Sequence, residues 1–93
     1  MSQNVFITAG AGGIGWAIAQ AFLNDGAKVH IVDISREAVE TAVANHENVS
    51  GSVGDVSNPD DVAQALAEAK EHLGGIDVLV SNAGIAGPTA PID

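Results

Sequence analysis

The sequence predicts an α/β fold, a partial sheet of four parallel strands with the order 3-2-1-4 joined by three helices. Strand-like and helix-like segments alternate three times along 93 residues with short connections, a pattern that calls for right-handed crossovers. The first strand-like segment is an apolar run, Val5, Phe6 and Ile7, and the fourth, Ile-Asp-Val-Leu-Val, has a composition that suits the interior of a sheet. Finally, the first strand runs at once into a cluster of glycines that opens a helix.

Each element has a local reason. Asn4 to Thr8 holds Val5, Phe6 and Ile7 and reads as a buried strand. From Gly13 to Asp25, Ile14, Ala17, Ile18, Ala21 and Phe22 recur at helical spacing, and Gly26 is placed to end the helix. Lys28 to Asp33, with Val29, Ile31 and Val32, reads as the second strand. Ser35 offers a cap for a helix through about His46, and Val49 to Val53 is a third, weaker strand. Asn58-Pro59-Asp60-Asp61 then combines a capping side chain, a proline at the first helical position and two carboxylates facing the positive end of the helix dipole. Val62, Leu66, Ala69 and Leu73 form that helix's apolar stripe, Gly74-Gly75 ends it, and Ile76 to Val80 reads as a fourth strand. Gly84 to Asp93 reads as loop.

Composition narrows the partners. The chain is 46% hydrophobic and 16% charged with a mean hydropathy of +0.23, which suits one small folded domain over residues 1–93. Twelve acidic against three basic residues give a net charge of -9, which opposes binding to nucleic acid or an anionic membrane. Residues 1–24 carry no charged side chain, but glycines at 10, 12, 13 and 15 interrupt the run, and Met1-Ser2-Gln3-Asn4 lacks the basic start of a secretory signal, so neither a span nor a leader is expected. The absence of cysteine rules out disulfides and thiolate chemistry and points to a reducing cytoplasm. His30, His46 and His72 have no metal-ligand spacing, and no metal is expected.

The chemistry lies in the turn Thr8-Ala9-Gly10-Ala11-Gly12-Gly13-Ile14-Gly15. Its glycines let the backbone approach a ligand closely, while the helix that follows presents free N–H groups and a positive dipole end to a phosphate. Gly10, Gly12 and Gly15 satisfy G-x-G-x-x-G, and Asp33 follows 18 positions after Gly15 at the end of the second strand, where a carboxylate can accept both hydroxyls of an adenosine ribose. A glycine turn and an acidic residue so placed also suit a methyltransferase.

On these residues the chain resembles the short-chain dehydrogenase/reductase family, whose turn is written T-G-x-x-x-G-x-G. Gly13 and Gly15 match its second and third glycines, and the first falls on Ala9, with Gly10 beside it. Asp55-Val56 after the third strand and Ser81-Asn82-Ala83-Gly84 after the fourth come in the family's order, with Ser81 in place of the first asparagine of N-N-A-G. These later matches favour the dehydrogenase resemblance over a methyltransferase. The resemblance implies a Rossmann-type dinucleotide site in which Gly12, Gly13, Ile14 and Gly15 face the phosphates, Asp33 the ribose, Asp55 and the Val56 backbone the adenine, and Asn82, Ala83 and Gly84 the cofactor's ribose. Asp33 would repel a 2′-phosphate, and Gly12 stands where NADP-using relatives often carry a basic residue, so NAD is expected over NADP; Arg36 reads as a solvated first-turn residue.

The resemblance also implies what these residues do not contain. Family members place a serine and a Tyr-x-x-x-Lys well after N-A-G, the tyrosine transferring the proton, and this chain has no tyrosine. The expectation is therefore a truncated, NAD-binding amino-terminal part of an oxidoreductase that moves a hydride between NAD and an alcohol or carbonyl, catalytically incomplete as given. The alternative is a non-catalytic nucleotide-binding or self-associating module. With the order 3-2-1-4 the fourth strand is a sheet edge, and the face over strands one and four lacks cover, so a homodimer or larger assembly burying Val78 and Val80 is expected.

Overall fold

The computed structural model of the chain describes residues 3–8 and 13–81. In chain order they form β1 (Asn4–Thr8), α1 (Gly13–Asn24), β2 (Lys28–Asp33), α2 (Arg36–Asn45), β3 (Val49–Val53), α3 (Pro59–Leu73) and β4 (Val78–Val80). The strands make one sheet in the order β3-β2-β1-β4, every neighbouring pair parallel. The predicted architecture is the observed one.

Side chains alternate across the strands, so the apolar runs feed two cores. On one face Val5, Ile7, Val29 and Ile31 pack with Ala19 and Leu23 of α1 and Ala42 of α2. On the other, Phe6 and Val32 pack with Ala65 and Ala69 of α3. Two helices thus cover one face and one helix the other. Alanines at the contacts let the helices approach closely, and at Gly51 an added Cβ would stand 2.7 Å from Val39 Cγ1, so α2 lies directly on β3.

The helix boundaries follow the sequence signals. Ser35 Oγ accepts the Ala38 N–H at 3.2 Å, and Asn58 Oδ1 accepts those of Asp60 at 2.9 Å and Asp61 at 3.4 Å. Gly74 ends α3 at φ 84°, a left-handed conformation suited to glycine, and donates to the Lys70 carbonyl at 2.8 Å.

Two expectations need correction. The fourth strand begins at Val78 rather than Ile76. The Asn4 N–H, which would extend the ladder, is taken by Asp77 Oδ2 at 2.9 Å, while the Asp77 N–H reaches the Asn4 carbonyl at 2.8 Å. The side chain expected to need cover also differs. Val78 and Val80 point to the two-helix face and are half-buried against its core, whereas Leu79, paired with Phe6 on the other face, is 61% exposed.

One buried polar side chain sits in the sheet. His30 is fully buried, its Nδ1 and Nε2 each 2.7 Å from a serine Oγ, those of Ser50 and Ser52. Ser52 Oγ donates to the Glu68 carboxylate, so Nε2 is the nitrogen that donates to Ser52, and Nδ1 accepts from Ser50. The ring stacks between Phe6 and His72, with centroids 5.9 and 5.7 Å away. Burial, assisted by His72 and opposed by Glu68, lowers its pKa to about 4. Among the described residues no helix is long and apolar enough to cross a membrane, and no three His, Cys, Asp or Glu side chains cluster to hold a metal.

Candidate functional site

Because all four strands are parallel, their carboxyl ends share one edge of the sheet, the place where open α/β sheets bind ligands. Register brings the predicted residues together there. Thr8 pairs with Val32 and Asp33 with Val53, and the Gly54 N–H donates to the Asp33 carbonyl at 2.9 Å, so Asp33 and the turn carrying Asp55 are neighbours.

Gly13 opens α1 at φ 52°, and among the described residues a Cβ added there would meet nothing within 4 Å. Packing against the described residues therefore does not require glycine at this point. The left-handed conformation does. The first turn of α1 carries no acidic side chain to oppose an anion. Ile14 is 64% exposed at this end, while Gly15 is buried, in keeping with the close helix–strand packing asked of the last glycine in such turns.

Asp33 is half-buried, with Oδ1 accepting the Ser35 N–H at 3.2 Å. Asp55 is held in an Asx turn: Oδ1 accepts the Ser57 hydroxyl at 2.7 Å and the Ser57 N–H at 2.9 Å, and these bonds keep the carboxyl below its usual range. The Val56 side chain packs against the core under α3. Of the predicted cofactor residues, Gly13, Ile14, Gly15, Asp33, Asp55 and Val56 meet at this end; Gly12, Asn82, Ala83 and Gly84 lie outside the described residues.

Sequence reasoning missed one participant. Asp61 Oδ2 accepts the Asp55 N–H at 2.9 Å, tying the first turn of α3 to the loop before it. The spacing Asn58-x-x-Asp61 is a capping-box pattern and was the available signal. A cavity of about 540 Å³ lies at the opposite end of the sheet, lined by Lys28, Val49, Ser50, His72 and Leu73 among others, and includes none of the site residues. Residue chemistry and strand direction outweigh its size, so the carboxyl-end site is the candidate.

At this end of the sheet, then, stand a left-handed glycine at the start of α1, the Asp33 carboxylate and a braced turn beside it. Comparison with known proteins gives the family. The short chain dehydrogenase family profile matches residues 3–93. The chain is 43% identical over 84 residues to the cis-2,3-dihydrobiphenyl-2,3-diol dehydrogenase of Paraburkholderia xenovorans, covering 89% of this chain and 30% of that protein. Among solved structures it is similar to an apo SCOR enzyme from Clostridium thermocellum, with a TM-score of 0.86 and 36% identity over 90% of this chain and 35% of that one. The 3-ketoacyl-(acyl-carrier-protein) reductase of Brucella melitensis complexed with NADH is similar too, with a TM-score of 0.77 and 30% identity over 81% of this chain and 31% of that one. The chain spans about a third of the length of the relatives it matches.

Proposed function

The chain belongs to the short chain dehydrogenase family, whose members bind nicotinamide dinucleotides, and on that premise we propose that it is the NAD-binding part of an oxidoreductase acting on an alcohol or carbonyl. Bound NAD would supply the hydride acceptor. Gly12, Gly13, Ile14 and Gly15 hold the pyrophosphate, Asp33 accepts the adenosine ribose hydroxyls, and Asp55 with the Val56 backbone flanks the adenine. Asn82, Ala83 and Gly84 are assigned to the cofactor's ribose by their place in the sequence. The observation that carries this reading is a left-handed Gly13 at the start of α1, after β1, together with Asp33 at the carboxyl end of the neighbouring strand β2.

Asp33 sets the choice of NAD over NADP, because its carboxylate would oppose a 2′-phosphate. The chain's 93 residues include no tyrosine, so the family's tyrosine acid-base step has no residue among them, and this chain alone turns over no substrate. The lack of cysteine suits a reducing cytoplasm. Calorimetric titration tests the assignment: NAD should bind, with NADP and S-adenosylmethionine weaker. Equal affinity for NAD and NADP, or tighter NADP binding, would overturn the role of Asp33.

A second reading, a self-associating module, draws on Leu79, which exposes 61% of its surface on the edge strand β4. Edge pairing or face packing in a homodimer or larger assembly would cover it. The two readings are compatible.

A further inference from the structure

We propose that Asp61 is the positioning residue of the adenine-facing turn, holding Asp55 and Val56 at the site; the proposal rests on the dinucleotide reading above. In a capping box the carboxylate at the third helical position returns to the N–H of the cap residue. Here that N–H, on Asn58, is already spent on the Asp55 carbonyl at 2.9 Å. Asp61 instead reaches past the cap to the Asp55 N–H at 2.9 Å. With the Asx bonds from Ser57, the Asp55–Asn58 turn is closed from both ends, and the rigid first turn of α3 anchors it.

A second contact ties Asp61 to the site. A Cβ added at Gly54 would stand 3.2 Å from Asp61 Cβ, closer than ordinary packing allows. The residue between Asp33 and Asp55 is thus free of a side chain where Asp61 passes, and the Gly54 N–H remains on the Asp33 carbonyl at 2.9 Å. Asp61 therefore touches the turn at both Gly54 and Asp55. A carboxylate serving only the helix dipole would need neither contact.

The test compares wild type, Asp61→Ala and Asp61→Asn by titration with NAD, AMP and nicotinamide mononucleotide, at a temperature where each is folded. Loss of one positioning hydrogen bond should weaken NAD and AMP together by about tenfold in Asp61→Ala, leaving nicotinamide mononucleotide unchanged. Asp61→Asn, whose amide oxygen can still accept the Asp55 N–H, should bind within about twofold of wild type although it loses the dipole contribution. Hydrogen exchange adds a binding-free readout: the Asp55 amide should lose protection in Asp61→Ala and keep it in Asp61→Asn. Wild-type AMP affinity and undiminished Asp55 protection in Asp61→Ala would overturn the positioning role. A wild type that binds neither NAD nor AMP would overturn the dinucleotide reading and this proposal with it.

Discussion

Asp33 and Gly13 divide the proposed recognition between charge and shape. Replacing Asp33 by Asn removes the charge facing the 2′ position while keeping an acceptor, so the preference for NAD over NADP should shrink by about tenfold, read from paired titrations. Gly13→Val forces a β-branched residue to φ 52°, which should cost about 1–2 kcal/mol of stability, and fills the cradle. Binding of both dinucleotides should be lost, whereas full NAD binding by the folded variant would make the glycine structural only. His30 gives a residue-level signature independent of any ligand. Its folded pKa of about 4 lies below the ordinary 6.5, so the unfolded chain binds the proton more tightly. Stability should be whole above pH 6.5 and fall as pH drops from there toward 4, by at most about 3 kcal/mol. Denaturant melts of wild type and His30→Phe across that range would show the slope in the first and its reduction in the second. This network was hidden in the sequence, because Ser50 and Ser52 meet His30 only once β2 and β3 are in register.

Among the elements, the β3–α2 contact leaves no room for a side chain at Gly51. Gly51→Ala would set a methyl group 2.7 Å from Val39 Cγ1 and should destabilise by about 1–3 kcal/mol, with Val39→Ala recovering part of that loss in the double variant. Chemical denaturation of the four-member cycle reads the coupling; strict additivity would show that α2 shifts freely over the sheet. The boundaries of α2 and α3 were legible because Ser35, Asn58 and Pro59 act on their own neighbours. The start of β4 was not, since it depends on Asp77 meeting Asn4 from the other end of the chain. Likewise the role of Asp61 needed the folded turn: its spacing announced a cap, but only the structure shows it bypassing Asn58 for Asp55.

For the whole molecule, a net charge of -9 carried with only three basic residues makes self-repulsion a general cost of compactness. Added salt should therefore raise the melting temperature, and a flat or falling response between low and moderate ionic strength would contradict this. The sheet order was readable from the alternation of strand and helix. The identity of the exposed edge side chain was not, because pleat and pairing decide that Leu79 faces out while Val78 and Val80 face in. The most direct measurement is NAD titration followed by backbone amide shifts. Binding at the carboxyl ends predicts perturbation at Gly13, Ile14, Asp33 and Asp55, with Lys28, Val49 and His72 at the opposite cavity unmoved. Shifts centred on Lys28, Val49 and His72, or none at any ligand concentration, would contradict the proposed site.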